Sequence, residues 1–107
     1  MEPREQMTPE AIAEILLEPL AAAFGEAAAR NDNLFGNGWG IQWHFPNGYG
    51  ASIVCHEMTW NRPEGAVLKR RDDGEWGLCY DSGITGDVIP DMSFGEVYRF
   101  IEAVRDL

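Results

Sequence analysis

Four side chains in this sequence have metal-binding or nucleophilic chemistry: His44, Cys55, His56 and Cys79. Zinc sites take thiolates and imidazoles, commonly in closely spaced pairs that chelate one ion. No CxxC or HxxxH pair is present. Cys55 and His56 are adjacent, and neighbouring residues of a strand point to opposite faces. They are therefore not expected to converge on one ion. Nor are they expected to form a thiol–imidazole pair, which needs hydrogen-bond reach. The thiols read instead as core fillers. The acids give no better constellation. Asp72 and Asp73 suit a turn. Asp81, Asp87 and Asp91 lack the alternating oxygen donors and closing bidentate acid of a calcium loop. GNGWG, residues 36–40, lacks the lysine and spacing of a phosphate loop. No catalytic residue, metal or cofactor is expected, and the chain reads as non-enzymatic.

Charge narrows the partner. The chain has 107 residues and a formal net charge of −10. Residues 1–36 carry seven acids and two bases, residues 37–71 two and four, and residues 72–107 nine and two. Arg62, Lys69, Arg70 and Arg71 form the one basic spot, near Trp60. A nucleic-acid binder needs a larger positive footprint, so direct nucleic-acid binding is not expected. The acidity suits a protein partner with a basic surface. No apolar run reaches the length of a membrane span, so no membrane partner is expected. The start, MEPREQM, lacks the apolar segment of a secretory signal, which gives the cytoplasm as the expected compartment. Free, buried cysteines fit that compartment.

These residues need a scaffold, and the pattern predicts one domain over residues 1–107 of the α+β class. Thr8-Pro9-Glu10 reads as a helix start, with Thr8 as cap. Ile12, Ile15, Leu16, Leu20, Ala23, Phe24 and Ala27 recur at helical spacing, so residues 8–30 read as helical, kinked or broken at Pro19. Residues 31–40 read as a loop. An antiparallel meander of about four strands is expected over residues 41–81. FPNGYG, residues 45–50, reads as the tip of a hairpin with a two-residue Asn47-Gly48 turn. That turn sets Pro46 opposite Tyr49, Trp43 opposite Ser52 and Ile41 opposite Val54. The second strand then runs to Trp60. Asp72-Asp73-Gly74 reads as a three-residue turn, with Leu68 opposite Leu78 and Arg71 opposite Glu75. Ala66, Leu68, Trp76, Leu78 and Tyr80 then share a face. Ser93 and Glu96 form a capping box for a final helix over residues 93–106, packed on one face of the sheet.

The C-terminal two-thirds carries a resemblance. FPNGYGASIV, AVL, LCYDSGITGDVI and a closing FIEAVRDL, over roughly residues 45–107, resemble a group of small proteins from tailed phages and prophages. Their pattern runs NGYG-A-S-V-V, a strand with A-V-L, then Y-D-T-P-I-T-D-D-V-I and a short amphipathic helix. Gly83 stands where that pattern has proline, and Gly86 where it has an acid. The resemblance implies a phage-type accessory protein in the bacterial cytoplasm, and it brings no catalytic residues. The expectation is a small acidic protein acting by protein–protein binding, as inhibitor of a host protein or, alternatively, as a self-assembling minor phage component. Either a monomer or a small homo-oligomer fits. Trp39, Tyr49 and Trp60, at loop or strand ends, are the expected aromatic anchors. Asp87 and Asp91 are the acids expected to join them.

Overall fold

The computed structural model describes residues 7–34 and 36–107. Residues 1–6, which carry the charged start, lie outside the described residues. The elements run α1 (Pro9–Phe24), β1 (Ala29–Leu34), β2 (Gly38–His44), β3 (Tyr49–Cys55), β4 (Glu64–Arg70), β5 (Trp76–Leu78) and α2 (Phe94–Arg105). Among the described residues the strands form one antiparallel sheet in the order β1-β2-β3-β4-β5. The fold is α+β.

The start of α1 is as the sequence suggests. The Thr8 hydroxyl accepts from the Ala11 N–H at 3.1 Å, with Pro9 in the first turn. The helix runs unbroken through Pro19. Pro19 and Ile15 are both exposed, so the carbonyl left without its N–H donor lies on the solvent side. Ile15 is 51% exposed, and Leu17 takes the core position instead.

Three boundaries differ from expectation. The helix ends at Phe24 rather than Arg30, because Gly25 leaves the helical region with φ +84. Ala29 to Leu34 then form a fifth strand against β2, so the meander begins before residue 41. Alanine's helix propensity is worth only a few tenths of a kcal/mol over most residues, roughly, and ladder pairing overrides it. The third difference is the end of β3. It stops at Cys55, and a 3-10 turn over Glu57–Thr59 follows, so Met58 and Trp60 leave the sheet.

The FPNGYG hairpin also differs, by one residue. Trp43 pairs with Ala51 and Ile41 with Ile53. Phe45 N–H donates to the Tyr49 carbonyl at 2.9 Å, which leaves a three-residue loop of Pro46, Asn47 and Gly48. Pro46 fixes φ near −65°, which suits the first central position of a type I turn. Gly48, at φ +85, then closes it. The one-residue slip moves every β3 side chain to the other face. Ala51, Ile53 and Cys55 join the core, and Val54 does not. The Asp72-Asp73-Gly74 turn has the same form and the expected register: Leu68 opposite Leu78, and Arg71 N–H bonded to the Glu75 carbonyl at 2.8 Å.

One face of the sheet carries the core. Trp39, Ile41, Trp43, Ala51, Ile53, Cys55 and Val67 meet Leu16 and Leu20 of α1 and Val97, Ile101 and Val104 of α2. The capping box of α2 forms as expected: Glu96 N–H donates to the Ser93 hydroxyl at 3.1 Å, and Ser93 N–H to the Glu96 carboxylate at 2.9 Å. Gly65 lets α2 come close, because a Cβ there would sit 3.0 Å from both Met92 and Phe100. Ala66, Leu68, Trp76 and Leu78 share a face, as expected, but it is the face away from this core. There His44 stacks on Trp76 at 4.0 Å across Gly50. Burial holds the His44 pKa below its ordinary value.

Candidate functional site

Residues 56–62 build the most exposed apolar feature. His56 Nδ1 accepts from the Met58 N–H at 3.1 Å and caps the 3-10 turn. The Thr59 hydroxyl accepts from the His56 N–H at 3.1 Å and donates to the Arg62 carbonyl at 2.8 Å. Trp60 and Asn61 follow with φ +57° and +55°. A left-handed backbone costs a side-chain-bearing residue about 1–2 kcal/mol. The cap and the Thr59 bonds offset this cost. The result is a fixed tip on which Trp60 is 87% exposed and Met58 71%.

Asp91 also has positive φ, +56°, and its carboxylate meets the Arg62 guanidinium at 2.6 Å. Trp60, Met58, Arg62, Glu64 and Asp91 line one open depression of about 520 Å³. All three positive-φ residues other than glycine, among those described, therefore cluster here. Strained backbone of this kind gathers at binding and switch sites.

Of the residues expected at a partner surface, Trp60 and Asp91 are brought together and the others are not. Trp39 is buried at 3% exposure, so it cannot be an exposed anchor. β2 begins at Gly38 rather than after residue 40, so Trp39 falls on the same face as Ile41 and Trp43, the core face, and its indole N–H donates to the Pro9 carbonyl at 2.8 Å. Tyr49 is half-buried at the hairpin, with Lys69 5.8 Å from its ring centre. Asp87 is exposed in the segment before α2, where its carboxylate accepts from the Val88 N–H. Met58 escaped sequence reading because residues 50–60 read as one strand. The signal present was HEMTWN, which has the capping histidine and threonine of a turn.

A second surface lies between α1 and the β1–β2 hairpin. A groove of about 660 Å³ is walled by Glu10, Glu14, Glu18 and Asp32, with Leu17 and Ala21 on its floor. The three glutamates sit four apart on α1, where like charges destabilise a helix by about 0.2–0.5 kcal/mol per pair. Their spacing was legible in the sequence. Arg30, the one cation among the lining residues, is bridged to Asp32. The basic spot is split: Arg62 joins Asp91, while Arg70 and Arg71 lie at the β4–β5 turn, with Arg71 3.7 Å from Asp73.

Both thiols are free and buried. Cys55 is fully buried, and burial pushes its pKa up to about 12. The Cys79 thiol donates to the Asp81 carboxylate at 3.1 Å. No group of three potential metal ligands is present among the described residues.

No protein-family model, curated protein or solved structure matches this chain. At Gly83, where the phage-protein pattern has proline, φ is +88°, which a proline ring does not allow.

Proposed function

We propose that this protein is a non-enzymatic accessory protein of the phage type that binds another protein with a basic surface. Inhibition of a host protein is the form of action that fits. The observation that carries this reading is Trp60, 87% exposed on a strained tip held by the His56 cap and the Thr59 hydrogen bonds. Tryptophan with methionine and arginine beside it is the composition of an interface hot spot. A preformed tip loses little conformational freedom on binding. The acid-walled groove supports the choice of a basic partner through charge complementarity. Edge-to-edge self-assembly fits less well. β1 is an edge strand that carries Arg30 and Asp32 and a register break between Asn31 and Leu34, and such features blunt an edge.

The test is capture from bacterial lysate on the immobilised chain, with washes at low and high salt. The wild-type chain is expected to retain one stoichiometric partner. Trp60→Ala leaves the fold intact, since the side chain packs on little, and is expected to weaken that partner about 30-fold. Glu14→Lys with Glu18→Lys is expected to abolish the salt-sensitive part of the binding. Equal capture by Trp60→Ala and wild type would overturn the reading.

A further inference from the structure

The Asn47 side chain does more than form a turn. Its amide nitrogen donates to three main-chain oxygens at and just beyond the end of α2: Val104 at 3.0 Å, Arg105 at 3.1 Å and Leu107 at 3.1 Å. Its oxygen accepts from the Tyr49 N–H at 2.9 Å. One carboxamide thus ties the hairpin tip to the last turn of the C-terminal helix, across nearly sixty residues of chain. The carboxamide can do both because it carries its donors on nitrogen and its acceptor on a separate oxygen.

The next residue is Gly48, and that pairing is chemically special. Without a side chain, its backbone nitrogen has unhindered access to the carboxamide carbon. Asn47 itself is exposed, so water and hydroxide reach it. We propose that Asn47 is a deamidation site guarded by the fold, and that loss of its amide unlatches the end of α2. In the reaction the Gly48 nitrogen gives its proton to solvent base and forms a bond to the Asn47 side-chain carbon. The bond from that carbon to the amide nitrogen breaks, and the nitrogen leaves as ammonia after taking up a proton from solvent. Water then opens the cyclic imide to aspartate or its β-linked isomer. No oxidant or reductant is needed.

The fold restrains both reacting groups. The leaving nitrogen is held by the main-chain oxygens of Val104 and Arg105 in α2 and of Leu107 just beyond it. The attacking nitrogen donates its proton to the Phe45 carbonyl at 3.1 Å. Attack requires rotations that break these bonds. Once made, the product cannot re-form them. A carboxylate has no proton to donate and would face three main-chain oxygens at the negative end of a helix. The neighbouring contacts at this end, Arg105 over the Phe24 ring at 5.5 Å and Phe24 against Tyr98 at 5.1 Å, then depend on an untethered turn.

The full chain is to be held in mildly alkaline buffer, folded or in urea, and its asparagines followed by peptide mapping and mass spectrometry. Asn37, which also precedes a glycine, serves as internal clock. Asn47 is expected to convert in the folded chain at least about tenfold more slowly than in urea, the factor set by losing one or more hydrogen bonds. Asn47→Asp is expected to speed amide hydrogen exchange at Asp106 and Leu107, and to do so more than Asn47→Ala, which removes the donors without adding charge. Equal rates at Asn47 in the folded chain and in urea overturn the guarding. Unchanged exchange in Asn47→Asp overturns the latch.

Discussion

At the residue scale the clearest case is Cys55. Its sulfur lies in the core beside Ile53 and Trp39, and its pKa rises from 9.0 to about 12 because burial disfavours the thiolate. The folded chain is therefore expected to resist thiol reagents at neutral pH and to react fully in urea. The same shift sets a pH dependence. A group whose folded pKa is raised contributes fully below its unfolded value, and the contribution is lost as pH climbs to the folded one. Stability is expected to fall between about pH 9 and 12 with a slope approaching about 1.4 kcal/mol per unit from this group. Unfolding midpoints across that range, compared with Cys55→Ala, check it: the variant loses this part of the slope.

At the element scale α2 depends on its cap. Ser93→Ala removes the acceptor for the Glu96 N–H and is expected to cost about 1 kcal/mol in urea unfolding. The Glu96 carboxyl is held below its ordinary value, first by the Ser93 backbone N–H and then by the Ser93 side chain. A depressed carboxyl contributes above its unfolded pKa, and the contribution is lost as pH falls through the folded one. Acid should therefore weaken α2 below the ordinary glutamate value of 4.5. Glu96→Gln keeps an acceptor without a titrating group, so its acid sensitivity should be smaller than the wild type's. This helix was legible in outline, because S-x-x-E followed by an apolar stripe is a local signal. The tie from Asn47 to its other end was not, since nothing in the sequence pairs residue 47 with residues 104–107.

At the scale of the whole molecule, α1 is clamped to the sheet at both ends. The Trp39 indole N–H holds the Pro9 carbonyl at 2.8 Å, and the Trp43 indole N–H holds the Gly25 carbonyl at 3.0 Å. The two tryptophans lie four apart on one face of β2, and each indole reaches a different end of the helix. Phe in place of either keeps the ring but leaves a carbonyl without its donor. Each substitution is expected to cost about 1–3 kcal/mol, with the larger loss at the buried Trp39 bond. A fall in the urea midpoint at constant slope is the check. The clamp also fixes the acidic face of α1 beside β1, which makes the groove of Glu10, Glu14 and Glu18 a rigid feature of the surface.

Local signals carried the sequence as far as the α+β class, the start of α1, the DDG turn with its register, and the cap of α2. Each depends on residues a few positions apart, where turn and capping chemistry decide. Tertiary structure decided the rest. Pro46 and Asn47 were each consistent with more than one turn. The choice fell to the loop that buries Ala51, Ile53 and Cys55 together with Trp39, Ile41 and Trp43. Residues 29–34, expected as the end of a helix and the start of a loop, became a strand because β2 offered a partner edge. The same register buried Cys55, and the capped 3-10 turn that follows β3 left Trp60 exposed on its tip. Propensity contributes tenths of a kcal/mol per residue, roughly, whereas burying one large apolar side chain contributes about 1.5–3, so burial decides the register.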